Sequence, residues 1–240
     1  MKAHLIQSRL TLLGLLTASV ATLSAQTSLT TEHVDVGIAY EQGAWDLHLH
    51  KENPPPNEEF EPGDAILVVG SAAETSVPAS PSFSFLGTTG DPVWILPQNQ
   101  NPSLLFLGIG AEEIDPSTFV GNITLTLDAV SGPGHFALYQ TDSFGTPTVF
   151  MNSRDGISSG DNVSITPGNH AHFNWAFSEP GTYNVAFEAS GILNDGFSTF
   201  TSSGPVTYTY EVVPEPGTYA LLGLGAGMLF FTLKRRARRG

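Results

Sequence analysis

Two histidine pairs stand out by type and spacing: His48 and His50 in DLHLH, and His170 and His172 in PGNHAHFNWAF. They account for four of the chain's seven histidines. In an extended chain, side chains two residues apart share a face, so each pair projects two imidazoles side by side. Parallel imidazoles hold one divalent transition metal well, and a third histidine or a carboxylate completes such a site. His33 and Asp35 in HVDVG form another same-face pair able to supply that third ligand, and Asp46 shares a face with His48 and His50. The candidate ligands are therefore His170, His172, His33, His48, His50 and Asp35. All are nitrogen and oxygen donors, consistent with zinc, copper, manganese or iron. The competing reading is a solvated strand face, whose alternate positions must be polar in any case. His135, after Gly132-Pro133-Gly134, reads as a strand-start residue.

The elements that would position these residues are strands. Polar and apolar residues alternate in His33–Ile38, Ala44–His50 and Asn122–Leu127, and further strands are expected over 135–140, 148–152, 171–177, 182–190 and 206–212. Glu-Pro-Gly, Gly-Pro-Gly and Thr-Pro-Gly separators supply turns, and helical periodicity is nearly absent. The expected fold is all-β: a single antiparallel β-sandwich. Residues 51–117 interrupt the pattern with Pro54-Pro55-Pro56 and a Ser/Pro-rich stretch, and read as a long, loop-rich insertion packed on the sandwich. Trp175 lies an odd number of residues from His172, so it should face the core if His172 faces out.

Both ends read as targeting signals. Lys2 and Arg9 precede an apolar run over 10–23 and small residues around Ala25, a signal peptide over 1–25. After Pro214-Glu215-Pro216, residues 219–233 are apolar, and Lys234, Arg235, Arg236, Arg238 and Arg239 follow. A helix over that run would reach about 22 Å against a hydrocarbon core of about 30 Å, with the basic cluster held on the cytoplasmic side. This leaves a body over 26–213 and a C-terminal signal with a hydrophobic transmembrane helix over 214–240.

Charge narrows the function. Between the two ends only Lys51 and Arg154 are basic, against twenty-two acidic residues, for a formal charge of 2 − 22 = −20. Such a surface repels phosphate backbones, so nucleic acid is excluded as a partner, while cations are favoured. With no cysteine, neither a disulfide nor a thiolate metal site can form. Gly156-Ile157-Ser158-Ser159-Gly160 satisfies G-x-S-x-G but lies in a polar loop without the strand–turn–helix setting of a nucleophile elbow, so no catalytic residue is assigned. Asp155 and Asp161 flank that loop without matching a calcium-loop pattern. Trp45, Trp94, Trp175, Tyr139 and Tyr183 raise the alternative of a sugar-stacking platform.

The order Pro-Glu-Pro, short apolar helix, Arg cluster resembles the PEP-CTERM sorting signal of Gram-negative bacteria. That resemblance implies processing by an exosortase near Pro214-Glu215-Pro216 and delivery to the cell surface or extracellular matrix, with membrane attachment through the C-terminal helix beforehand. The body, through HVDVG, PVWILPQNQNPSLLFLG, SGPGHFALY, MNSRDGI and HAHFNWAFSEPGTY in that order, resembles the choice-of-anchor M domain. In that family one surface domain is joined to varied anchors and is associated with metal-type binding-protein transporters. Together these readings predict an exported, non-enzymatic binding protein that captures a transition metal or a metal-containing ligand. The alternative is a structural or glycan-binding component of an exopolysaccharide matrix.

Overall fold

The computed structural model describes residues 25–214. The expected signal peptide and C-terminal hydrophobic helix lie outside the described residues, apart from the last residue of the one and the first of the other. Among the described residues no helix is long and apolar enough to cross a membrane.

The described chain is all-β, as the alternation predicts, with sixteen strands and two short 3-10 turns. In chain order the strands are β1 (Thr27–Leu29), β2 (His33–Glu41), β3 (Ala44–Asn53), β4 (Glu58–Phe60), β5 (Ala65–Val69), β6 (Glu74–Ser76), β7 (Pro92–Leu96) and β8 (Phe106–Gly110). They continue as β9 (Ile123–Ser131), β10 (Phe136–Thr141), β11 (Pro147–Asn152), β12 (Asn162–Ile165), β13 (His170–His172), β14 (Asn174–Phe177), β15 (Gly181–Ile192) and β16 (Phe200–Val212).

These strands form three sheets rather than two: β1-β5-β16-β15-β9-β12, β11-β10-β14-β7-β6 and β13-β8-β2-β3-β4. Most pairings are antiparallel, but β1–β5, β5–β16 and β2–β8 are parallel. The segment 51–117 is loop-rich as expected, yet it also threads the fold. It gives β5 to the first sheet, β6 and β7 to the second, and β4 and β8 to the third. Several of its apolar runs are therefore strands of the core, with Leu67, Leu96 and Leu107 each fully buried, while Phe83, Phe85 and Leu86 lie outside the strands in a second, smaller cluster.

One hydrophobic core joins the three sheets, and Trp175 sits within it. Its ring belongs to the second sheet and packs near Phe187 and Tyr210 of the first, while its indole N–H donates to the Leu107 carbonyl of the third (3.0 Å). A buried indole needs such a partner, and this one ties the sheets together. The run expected as one strand over 171–177 is two. β13 pairs with β8 in the third sheet, whereas β14 pairs with β10 and β7 in the second, the chain crossing at buried Phe173. Trp175 is buried as predicted, but through this crossing rather than by alternation along one strand.

Candidate functional site: a histidine and carboxylate band on the third sheet

All six sequence-predicted ligands lie on the third sheet. β2 supplies His33 and Asp35, β3 supplies His48 and His50, and β13 supplies His170 and His172. The register aligns them in rows. One row runs His172, Gly108, Asp35, His50, and the next runs His170, Gly110, Gly37, His48. Residues directly opposite across a ladder share a face, so the whole set projects from one side of the sheet. The other side carries Val34, Val36, Ile38, Leu47, Leu49, Leu107 and Ile109, all buried in the core.

Glycines shape the floor of the band. A Cβ on Gly108 would collide with Asp35 Oδ1 and stand 3.0 Å from the His172 ring. A Cβ on Gly37 would overlap the His48 imidazole. With no side chain at these two positions, the Asp35 carboxylate lies across β8 and the His48 ring lies across β2. Strand-interior glycines cost conformational entropy, and close approach of another group is a reason for one to be there.

At one end His33, His170 and His172 converge, with one ligand atom from each lying within 4.8 Å of the others. The Nε2 atoms of His33 and His172 are 3.2 Å apart. Two nitrogens bound to one tetrahedral zinc at about 2.05 Å would lie about 3.3 Å apart, so this spacing suits a shared ion. Phe106, opposite His33 in the ladder, stacks on His172 with ring centroids 3.7 Å apart and holds that imidazole in place. The Gln140 side-chain amide donates to the His172 carbonyl (2.8 Å), pinning the end of β13. Asp35 Oδ1 lies 3.9 Å from His33 Nε2, and Asp35 also groups with Glu112 and His170.

Carboxylates orient the rings from behind. The β2–β3 ladder slips by one residue between His33↔Asn53 and Val34↔Lys51, which leaves Glu52 as the extra residue of a bulge. Its Oε2 is 2.9 Å from His33 Nδ1. This contact favours the ring proton on Nδ1 and leaves the Nε2 lone pair free, the arrangement by which outer carboxylates prepare metal-binding imidazoles. Glu112 does the same for His170, with Oε1 2.6 Å from Nδ1. Glu112 and Glu113 follow β8, and their loop is pinned by fully buried Ile114, whose N–H donates to the Ala111 carbonyl.

At the other end His48 and His50 meet Glu113, whose Oε1 is 3.3 Å from His48 Nε2 and 3.5 Å from His50 Nδ1. These three again form a group within 4.8 Å. His48 is buried, and neither of its ring nitrogens makes a hydrogen bond. Asp46 contributes only a 3.9 Å approach to His48 Nδ1.

The electrostatics follow from burial. Desolvation pushes the Asp35 carboxyl up to about 7, against the pull of His170. Desolvation, with His33 alongside, pushes His172 down to about 4, and it also lowers His33 against the opposing field of Glu52. His170 is raised, chiefly by its hydrogen bond to Glu112. Neutral imidazoles at His33 and His172 are the form that ligates a metal. Asp35 Oδ1 is buried without a hydrogen-bond partner, a costly state for a carboxylate and one that a cation would relieve.

The fold thus gathers the six candidate residues on one face and sets among them Glu52, Glu112, Glu113 and Phe106, which the sequence reading did not single out. Glu52 shares the parity of His48 and His50, which was a usable signal; nothing local marks the other three. His135 lies away from the band, beside Arg154 and Glu179. The G-x-S-x-G loop leads into strand β12 rather than a helix, and Ser158 bonds to Asp161, which also accepts from the Asn152 N–H. Of the five aromatic residues proposed as a platform, Trp94, Trp175, Tyr139 and Tyr183 are buried, and Trp45 stacks on Phe119.

Comparison with protein families matches residues 212–239 to the PEP-CTERM protein-sorting motif. The motif marks an exported protein that is sorted by an exosortase and associated with the cell surface. No curated protein matches the chain.

Proposed function

We propose that this surface-sorted protein is a non-enzymatic binder of a divalent transition metal, or of a ligand containing one, held by His33, His170 and His172 with Asp35. The observation that carries this reading is the convergence of three imidazoles from β2 and β13 beside a buried carboxylate that has an unpartnered oxygen. Imidazole-rich donor sets suit zinc and copper better than magnesium or calcium, which take oxygen ligands. His33, His170 and His172 also fall within the segments that resemble the choice-of-anchor M domain, a family associated with metal-type transport. Burial of Trp94, Trp175, Tyr139 and Tyr183 takes four of the five aromatic residues of the glycan-binding alternative off the surface.

The test is zinc and copper binding to protein stripped of metal by a chelator, followed by calorimetry and thermal unfolding. Either metal should bind and raise the unfolding temperature, and the His33→Ala/His172→Ala variant should lose that shift at this site. A wild-type protein whose unfolding temperature moves with neither zinc nor copper would end the proposal.

A further inference from the structure

We propose that the band carries a second, separate metal site at His48, His50 and Glu113, so that two divalent transition-metal ions sit on one sheet face with Asp35 between them. This rests on the reading of the His33–His170–His172 group as a metal site and extends it.

Geometry separates the two groups. Between His48 on β3 and His170 on β13 lie β2 and β8, three strand spacings in all, or about 14 Å of backbone separation. The ligand atoms accordingly gather in separate groups, and His48, His50 and Glu113 share none with His33, His170 and His172. Each end instead has its own histidines and its own glutamate, because the adjacent Glu112 and Glu113 diverge. Glu112 meets His170, and Glu113 meets His48 and His50.

The second group is more than a histidine–glutamate ion pair. One oxygen of Glu113 faces two ring nitrogens, 3.3 Å from one and 3.5 Å from the other. The His48 side chain is only 4% exposed, yet both of its nitrogens lack a hydrogen bond. Buried polar atoms in folded proteins are almost always partnered, so a doubly unpartnered imidazole aimed at a carboxylate calls for a ligand. A cation among the three groups satisfies His48, His50 and Glu113 together. Gly37 is what allows the His48 ring to lie there. A small cleft lined by Asp35, Gly37, His50, Gly110, Glu112 and Glu113 gives an approach between the two ends. Two imidazoles and one carboxylate leave a coordination position for water or a ligand group, as at open zinc sites.

The experiment counts ions. Full-length protein, made metal-free by chelation, is titrated with zinc in a calorimeter, and its zinc content is read by native mass spectrometry. The proposal expects two zinc ions per wild-type chain. It expects one for His50→Ala/Glu113→Gln and one for His33→Ala/His172→Ala, each pair sparing the other site. The first pair avoids buried His48, and circular dichroism confirms that both variants fold. One wild-type ion that is lost only with His33 and His172 would overturn the second site and leave the first standing. One ion lost in either variant would mean a single shared centre and would also overturn it. Two ions retained by His50→Ala/Glu113→Gln would do the same, and no bound zinc at all would overturn both readings.

Discussion

Asp35 is the residue through which the band's protonation is most exposed to measurement. In the metal-free protein its carboxyl is held at about 7 in the fold, against about 3.8 in an unfolded chain. The folded state therefore keeps a proton that the unfolded state releases, and stability falls as pH rises through that window. His172 does the reverse. Its folded value near 4, against 6.5 unfolded, makes stability rise across roughly the same range. His33, lowered too, adds to the rise, while His170, raised by Glu112, loses its contribution only above 6.5. The opposing slopes offset one another between pH 4 and 6.5 and leave a decline above it. In Asp35→Asn the offset is gone, so stability should rise from pH 4 to a maximum near 6.5. At pH 7.5 the metal-free variant should be more stable than wild type by roughly a few kcal/mol. Urea midpoints of both proteins in chelator between pH 4.5 and 7.5 check this. Parallel pH profiles for the two would refute it. The candidate ligand side chains were readable from parity, since His33, Asp35, His48, His50 and His172 fell on predicted strands and His170 immediately precedes one. Glu112 and Glu113 were not, because they reach the band through a loop turn held by Ile114, a tertiary event without a local signature.

At the scale of elements, the site is made by strand order. β8 lies between β2 and β13 and brings no candidate ligand of its own; it gives this face Phe106, which stacks on His172, and Gly108 and Gly110. The glycines contribute room. Replacing Gly108 by Ala would put a methyl group against the Asp35 carboxylate and the His172 ring, without touching the apolar face of the sheet. Both side chains would have to shift, and small displacements at the edge of a coordination shell cost about tenfold or more in affinity. Gly108→Ala should therefore weaken zinc binding at His33, His170 and His172 by about that factor, while its unfolding temperature without metal changes far less. Unchanged zinc affinity in calorimetry would show that the floor is not needed. Sequence reading placed the strands and their polar face well, because alternation is a local property. It placed neither the split of β13 from β14 nor the parallel β2–β8 pairing. The split depends on a change of sheet at Phe173, and the pairing on the path of residues 51–117 through all three sheets. The glycine rows become meaningful only once that pairing is known.

At the scale of the whole molecule, the sorting motif and the fold meet without an intervening linker. The motif begins at residue 212, and Val212 is still within β16, opposite Gly181 on one side and Val69 on the other. The next residue, Val213, donates its N–H to the Val69 carbonyl (2.9 Å), and Pro214 follows at once. The sheet thus ends where Pro-Glu-Pro starts. An exosortase acting near 214–216 would remove the tail without breaking a strand ladder, and proline there cannot extend the ladder because it lacks an N–H. The band lies on β2, β3, β8 and β13, none of which pairs with β16. Processing should therefore leave the body's binding properties intact, and losing the motif should affect sorting alone. Replacing Pro214, Glu215 and Pro216 by alanine should leave the chain uncut in cells that carry the exosortase, visible as a heavier band retained in the membrane fraction. The same variant, purified, should match the processed protein in zinc stoichiometry and should agree with it within a few degrees in unfolding temperature. Zinc content that falls with the alanine replacement would instead couple the tail to the third sheet, through contacts of β16 with β3 such as that of the Tyr208 hydroxyl with the His48 carbonyl.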